Sequence, residues 1–215
     1  MFVRDRMSSP AVTITPDTSL QAALNLMHEH RFRRLPVVDD KGRLVGIVSE
    51  RDLLYASPPP APLLRGLELN HLLTELRVDE IMTRNILTAT PDTFVEDAAR
   101  LMVDNKVGGL PVVDEDNRVV GVITETDVFR ALIELYRAGH AGLYLTLKAP
   151  DRVGLMVELS RVILGLGGKI VGLSSSYDKA NGKYRLVIKG QEIDKDRVVA
   201  FLRSLGYEVT RAYEV

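Results

Sequence analysis

Two α/β modules in series, a mixed α+β/α/β chain, are predicted by three features of this sequence. Residues 7–127 contain a gapless internal repeat, the periodicity changes after residue 141, and Asn181-Gly182 separates two strand-like runs. An offset of 75 aligns Met7 with Met82, Pro16-Asp17-Thr18 with Pro91-Asp92-Thr93, and Leu35-Pro36-Val37-Val38-Asp39 with Leu110-Pro111-Val112-Val113-Asp114. Gly46, Glu50 and Asp52 fall on Gly121, Glu125 and Asp127, and 19 of the 46 positions from Met7 to Asp52 are identical. A repeat of this strength fixes the architecture, because one copy cannot bury its own apolar face.

Each copy reads β-α-β-β-α. Thr18-x-x-Gln21 and Thr93-x-x-Glu96 have the form of capping boxes that open a helix. The stripe Leu20, Ala23, Leu24, Met27 returns as Val95, Ala98, Ala99, Met102, which is helical spacing. Leu35–Val38 and Leu110–Val113 are short apolar strands, followed by acidic turns ending in Gly42 and Asn117. Both residues tolerate positive φ. Strands Leu44–Val48 and Val119–Ile123 lead into second helices at Ser49 and Thr124. The expected boundaries are 1–57 for the first repeat, 58–76 for a proline-rich linker and helix, and 77–137 for the second repeat. The two copies are expected to pack sheet against sheet.

From 142 to 215 the order is β-α-β-β-α-β. Leu143, Leu145 and Leu147 alternate as a strand, and Asp151 can cap a helix whose stripe is Leu155, Leu159, Val162 and Leu166. Gly167-Gly168 ends that helix. Ile170–Tyr177 and Lys183–Lys189 flank the Asn-Gly turn, a strong hairpin signal. A helix bearing Val198, Phe201, Leu202 and Leu205 stops at Gly206, and Tyr207–Val215 forms a last strand with Tyr207, Val209, Tyr213 and Val215 on one face. This is a ferredoxin-like order, which alone says nothing about function.

Composition excludes several function classes. With 28 basic and 29 acidic residues the net charge is −1, so no basic excess drives nucleic-acid binding. Cysteine is absent, which removes disulfides, thiolate metal sites and a thiol nucleophile. Charges interrupt the N-terminus and no run reaches membrane-span length, so a cytoplasmic protein with no membrane partner is expected.

The segments Gly46-Ile47-Val48-Ser49-Glu50-Arg51-Asp52 and Gly121-Val122-Ile123-Thr124-Glu125-Thr126-Asp127, each with a Pro-Val-Val-Asp strand upstream and Met7 or Met82 ahead of it, resemble a tandem pair of CBS domains, a Bateman module. The resemblance implies a regulatory ligand, AMP, ADP, ATP or S-adenosylmethionine, held in clefts between the repeats, with no catalytic cofactor. It implies a nucleotide-binding set of Thr13, Arg33, Arg34, Pro36, Ser49, Arg51, Asp52, Thr88, Gly109, Pro111, Thr124 and Asp127. Residue chemistry supports this independently. Ser49 and Thr124 sit at strand-to-helix junctions, where free N–H groups favour an anion, and Asp52 and Asp127 can accept hydrogen bonds from a ribose diol. The competing reading is that both pairs only cap their helices.

The copies differ where phosphate would lie. The first has Arg31, Arg33, Arg34 and Arg51; the second has Lys106, Gly108, Gly109 and Thr126. Arginine forks grip phosphate oxygens, whereas glycine offers close backbone approach without charge. A solvated arginine face is the alternative. The cluster favours the first copy as the polyphosphate-competent site.

Asp151-Arg152-Val153-Gly154-Leu155, between a strand and a helix, resembles the signature of ACT domains. The resemblance implies amino-acid binding at Asp151, Arg152, Gly154 and Leu155, although Val153 stands where that family often has proline. A CBS pair followed by an ACT domain is similar to the acetoin-utilization CBS–ACT type. A homodimer is expected, with isologous contacts through both modules.

No catalytic constellation is present, so no enzyme is expected. His28 and His30 lie two apart on a helix and point to different sides, and no metal site is read from them. Gly165-x-Gly167-Gly168 ends a helix, whereas a dinucleotide loop must begin one. Two function classes remain: a ligand-sensing regulator, and a scaffold whose pockets are vestigial.

Overall fold

The computed structural model describes residues 1–56, 76–136, 141–179 and 181–215. The expected linker and helix at 58–76, apart from Leu76, lie outside the described residues, as do 137–140 at the expected module boundary. The chain divides into two compact units, Met1–Phe129 and Arg130–Val215.

In the first unit, α1 (Leu20–His30), β1 (Arg34–Val38), β2 (Leu44–Ser49) and α2 (Glu50–Ala56) are followed by α3 (Val95–Asn105), β3 (Gly109–Val113), β4 (Val119–Thr124) and α4 (Glu125–Leu135). The division between the units falls inside α4. β1–β2 and β3–β4 are antiparallel hairpins in matching register, with bulges at Val37/Val38 and Val112/Val113. Gly42 and Asn117 close their turns at φ 77° and 61°, as the turn chemistry requires. α1 buries Leu20, Ala23, Leu24 and Met27, the stripe read from the sequence; α3 buries Val95, Ala98 and Met102.

Two local expectations need correction. The helix caps sit one residue later than the capping-box pattern implied. Ser19 caps α1 by accepting from Ala22 N–H, and α3 begins after Phe94 without a side-chain cap. Thr18 and Thr93 instead accept from the N–H groups of Thr15 and Thr90, closing the preceding turn. The leading strand of each repeat is reduced to one bridge, Ile14 to Val37 and Ala89 to Val112. A single parallel contact suffices there because each has two backbone bonds, such as Ile14 N–H to Pro36 C=O at 3.0 Å.

The repeats are interlocked through their leading segments. Val3 N–H donates to Thr93 C=O and Val95 N–H to Met1 C=O, while Val78 N–H donates to Thr18 C=O and Leu20 N–H to Leu76 C=O. Ser8 bridges Val122 and Thr83 bridges Ile47. Val78 and Met82 are buried in the core of the first repeat. Each copy therefore completes the other. The hairpin tips also meet, with Leu44 N–H on Asn117 C=O and Val119 N–H on Gly42 C=O.

The second unit holds β5 (Leu143–Pro150), α5 (Leu155–Gly165), β6 (Lys169–Asp178), β7 (Lys183–Gln191), α6 (Lys195–Ser204) and β8 (Glu208–Glu214). They form one antiparallel sheet of order β6-β7-β5-β8. Its core unites Leu143, Leu145 and Leu147 with Leu155, Leu159, Leu186, Ile188, Val198 and Leu202. Asp151 does not cap α5; Gly154, at φ 84°, occupies that position and only glycine adopts it without strain. The last strand is not apolar along one face. Leu147 pairs with Val209 but Thr146 with Arg211, so a bulge at Thr210 flips the alternation. Tyr207 is buried, Val209 and Ala212 pack on the core, and Tyr213 is left stacked on Tyr144 at 5.1 Å.

Candidate functional site

β2 ends at Ser49, and α2 begins at the next residue, so the signature lies on a strand-to-helix junction. Asp52 Oδ2 accepts from Ser49 N–H at 2.9 Å and from Ser49 Oγ at 2.7 Å, and Asp52 N–H donates back to Ser49 Oγ. Thr124 and Asp127 repeat this pattern at 2.9 and 2.6 Å. These are reciprocal caps, so the capping role read from the sequence is realised in both copies. Each cap also fixes a carboxylate and a hydroxyl at the helix start, where the dipole favours an anion.

Around the first junction lies a cleft of about 590 Å³ between the two repeats. It gathers Arg33, Arg34, Ser49, Arg51 and Asp52 from the first copy with Gly109 from the second. The other residues of the expected set lie elsewhere. Pro36 and Pro111 sit within strands opposite Ile47 and Val122. Thr13 and Thr88 precede the bridging residues Ile14 and Ala89. Thr124 and Asp127 form the second, symmetry-related junction, where Asp127 is buried.

Arg34 reaches from the first copy across to Gly108 and Gly109 of the second. A Cβ on Gly109 would stand 2.6 Å from its Nη1, and one on Gly108 3.0 Å from its Nη2 and 3.1 Å from Glu125 Oε2. The glycines admit the guanidinium; side chains there would expel it. Among the described residues, Arg34 Nη1 is buried without a hydrogen-bond partner. Burial, with a smaller contribution from Arg33, pulls the Arg34 pKa below its ordinary value, while Glu125 works the other way. An unsatisfied buried donor is costly, and an incoming anion would satisfy it.

Sequence reasoning missed the stretch Thr83, Asn85, Ile86 and Leu87, which also lines the cleft, as does Glu125. The available signal was the repeat itself: Thr83 is the counterpart of Ser8, and each bridges the opposite copy's second strand.

In the second unit the four ACT-signature residues have divergent fates. Leu155 is buried in the core and Gly154 shapes the helix start. Arg152 bonds Glu158 Oε2 at 2.6 Å and Tyr207 Oη at 3.0 Å, and Tyr207 donates to Glu158 Oε1 at 2.7 Å. The Tyr207 hydrogen bond, with Arg152 beside it, holds the Glu158 carboxyl below its usual range. Asp151 is exposed. A groove of about 1170 Å³ runs between α5 and α6 past Val153, Val157 and Phe201.

Among the described residues no cluster of three or more His, Asp or Glu could hold a metal, and no helix is long and apolar enough to cross a membrane.

Comparison with known proteins agrees with this geometry. The CBS domain family model matches residues 3–58 and 78–134, the two repeats. The CBS pair of protein MJ0100, solved with 5'-methylthioadenosine and S-adenosyl-L-methionine, is 34% identical, with a TM-score of 0.52 over 61% of this chain and 95% of that one. CBSX2 of Arabidopsis thaliana, solved with AMP, is 35% identical, with a TM-score of 0.51 over 62% and 96%. AcuB of Vibrio cholerae is 31% identical, with a TM-score of 0.53 over 64% and 93%. This chain belongs to the CBS domain family and carries its domains as a tandem pair.

Proposed function

We propose that this chain is a ligand-sensing regulatory protein that holds an adenosine ligand in the cleft between its CBS repeats. The observation that carries the reading is the cleft at Ser49–Asp52. It offers a fixed carboxylate for a ribose diol, a helix start and an arginine cluster in one 590 Å³ space. Relatives solved with AMP, or with 5'-methylthioadenosine and S-adenosyl-L-methionine, support the ligand class. The contacting residues are Ser49 and Asp52, with Arg33, Arg34, Arg51 and Gly109 around them.

The second unit is read as an ACT-like domain, on its β-α-β-β-α-β order and its Asp151-Arg152-x-Gly154-Leu155 junction. An amino acid is its proposed ligand, approaching exposed Asp151. The assembly is a cytoplasmic homodimer: Phe129, Leu132 and Ile133 on α4 are exposed apolar side chains that a second copy would cover.

Thermal shift with AMP, ADP, ATP, S-adenosylmethionine and amino acids tests the reading. A ligand at 100 times its Kd raises stability by about 2.7 kcal/mol. Stabilisation by an adenosine ligand that Asp52→Ala weakens, by roughly 10- to 150-fold in affinity, is the expected result. No shift with any of them at millimolar concentration overturns it in favour of a scaffold.

A further inference from the structure

A second apolar surface lies wholly within the C-terminal unit, apart from the cleft between the repeats. The groove of about 1170 Å³ between α5 and α6 has apolar walls that the fold of this unit leaves in water. Val153 is fully exposed, Val157 is 55% exposed, and Phe201 and Leu205 are 44% and 46% exposed. The core does not need these side chains, because Leu155, Leu159, Val198 and Leu202 already supply the buried stripes of the two helices. The outer residues line up at one-turn spacing. Val157 and Arg161 lie four apart on α5, and Arg197 and Phe201 four apart on α6, with Leu205 one turn further on as its C-cap.

The unpaired charges along the groove have one sign. Its only lining carboxylate among the described residues, Glu158, is already bound by Arg152 at 2.6 Å and by Tyr207 at 2.7 Å. Arg161 and Arg197 also line it, both exposed, and among the described residues neither guanidinium is in an ion pair. A second copy seated by two-fold symmetry would bring the same cations to the rim, like charge against like. An enclosed small molecule is a poor match, because walls this exposed cannot surround it. We propose that this groove docks an amphipathic helix of a partner protein, its apolar ridge flanked by carboxylates. The ridge covers Val157, Phe201 and Leu205, and the flanking carboxylates pair with Arg161 and Arg197. With 11 and 10 residues, α5 and α6 are each about 15 Å long, which matches three turns of such a helix. The site is independent of the adenosine cleft. It gives the regulator an output surface, distinct from the exposed α4 side chains assigned to a second copy.

The experiment is a fluorescence-anisotropy titration of the full chain with two hydrocarbon-stapled helical peptides of about four turns. Both carry leucines at helical spacing; one has flanking glutamates and the other flanking lysines. The glutamate peptide should bind, more weakly as salt is added, and the lysine peptide should not. Phe201→Ser should weaken the glutamate peptide at least about 10-fold. In the double variant Arg161→Glu/Arg197→Glu the preference should reverse, a gain that misfolding cannot produce. Light scattering should give Phe201→Ser the same molar mass as wild type. Equal binding of the two peptides, or binding of neither, overturns the proposal. A molar mass that falls in Phe201→Ser overturns it as well, since a second copy then fills the groove.

Discussion

Met7 of the first repeat packs against Gly121 of the second, its Sδ 2.6 Å from where a Cβ on that glycine would stand, and Met82 packs on Gly46 in the mirror relationship. The glycine of each signature is thus required by the other copy's methionine. The Ser8 carbonyl, 2.9 Å from the same point, leaves no room to yield. Gly121→Ala should destabilise the protein by about 1–3 kcal/mol in urea denaturation, the usual cost of overpacking. Met7→Ala in the same chain should recover only part of that loss, because the backbone oxygen remains.

The interlock carries a second expectation. Val78 and Met82 are core residues of the first repeat although they belong to the leading segment of the second. A chain ending at Tyr55 loses both, together with the backbone partners of Thr18 and Leu20. It should show no cooperative melting transition. A soluble, monomeric, cooperatively folding fragment would contradict the exchange of leading segments.

The reciprocal caps predict a stability cost separate from any ligand. Removing the carboxylate in Asp127→Ala leaves Thr124 N–H without that acceptor, at about 0.5–2 kcal/mol. The comparison of ligand-free melting temperatures measures it. Asp52→Ala should show a similar loss without ligand, and a further drop in ligand-induced stabilisation.

The Arg152–Glu158–Tyr207 cluster predicts a pH dependence. The Glu158 pKa is depressed, chiefly by the Tyr207 hydrogen bond, so the folded carboxylate holds its proton less tightly than the unfolded one. Its contribution is present above the ordinary carboxylate pKa of about 4.3 and is lost as pH falls through the depressed value. In Tyr207→Phe, the Glu158 carboxyl should titrate nearer its ordinary value by NMR, and the acid limb of the stability curve should flatten. An unchanged Glu158 titration in Tyr207→Phe would contradict the assignment.

Much of the fold is legible in the sequence because burial follows simple periods. Leu20, Ala23, Leu24 and Met27 lie at helical spacing and form the buried stripe of α1. Leu143, Leu145 and Leu147 alternate and are buried together. What the sequence hides is choice between near-equivalents. Thr18 and Ser19 can both cap, and the hydroxyl of Thr18 is taken by the turn at Thr15. The bulge at Thr210 is equally silent, since nothing in Val209-Thr210-Arg211 marks the residue that will be left out of the ladder. At the site, the Ser-x-x-Asp and Thr-x-x-Asp pairs are visible as motifs. The reach of Arg34 to Gly109 is not, because it joins residues that only the packing of two copies brings together.

The most direct test of the central claim is a crystal structure of the chain with AMP. The account predicts the ribose at Asp52 and the phosphate against Arg34 Nη1, in the cleft that also contains Lys106 and Gly109. AMP bound with its phosphate away from Arg34, or found only outside the space between the repeats, would contradict it.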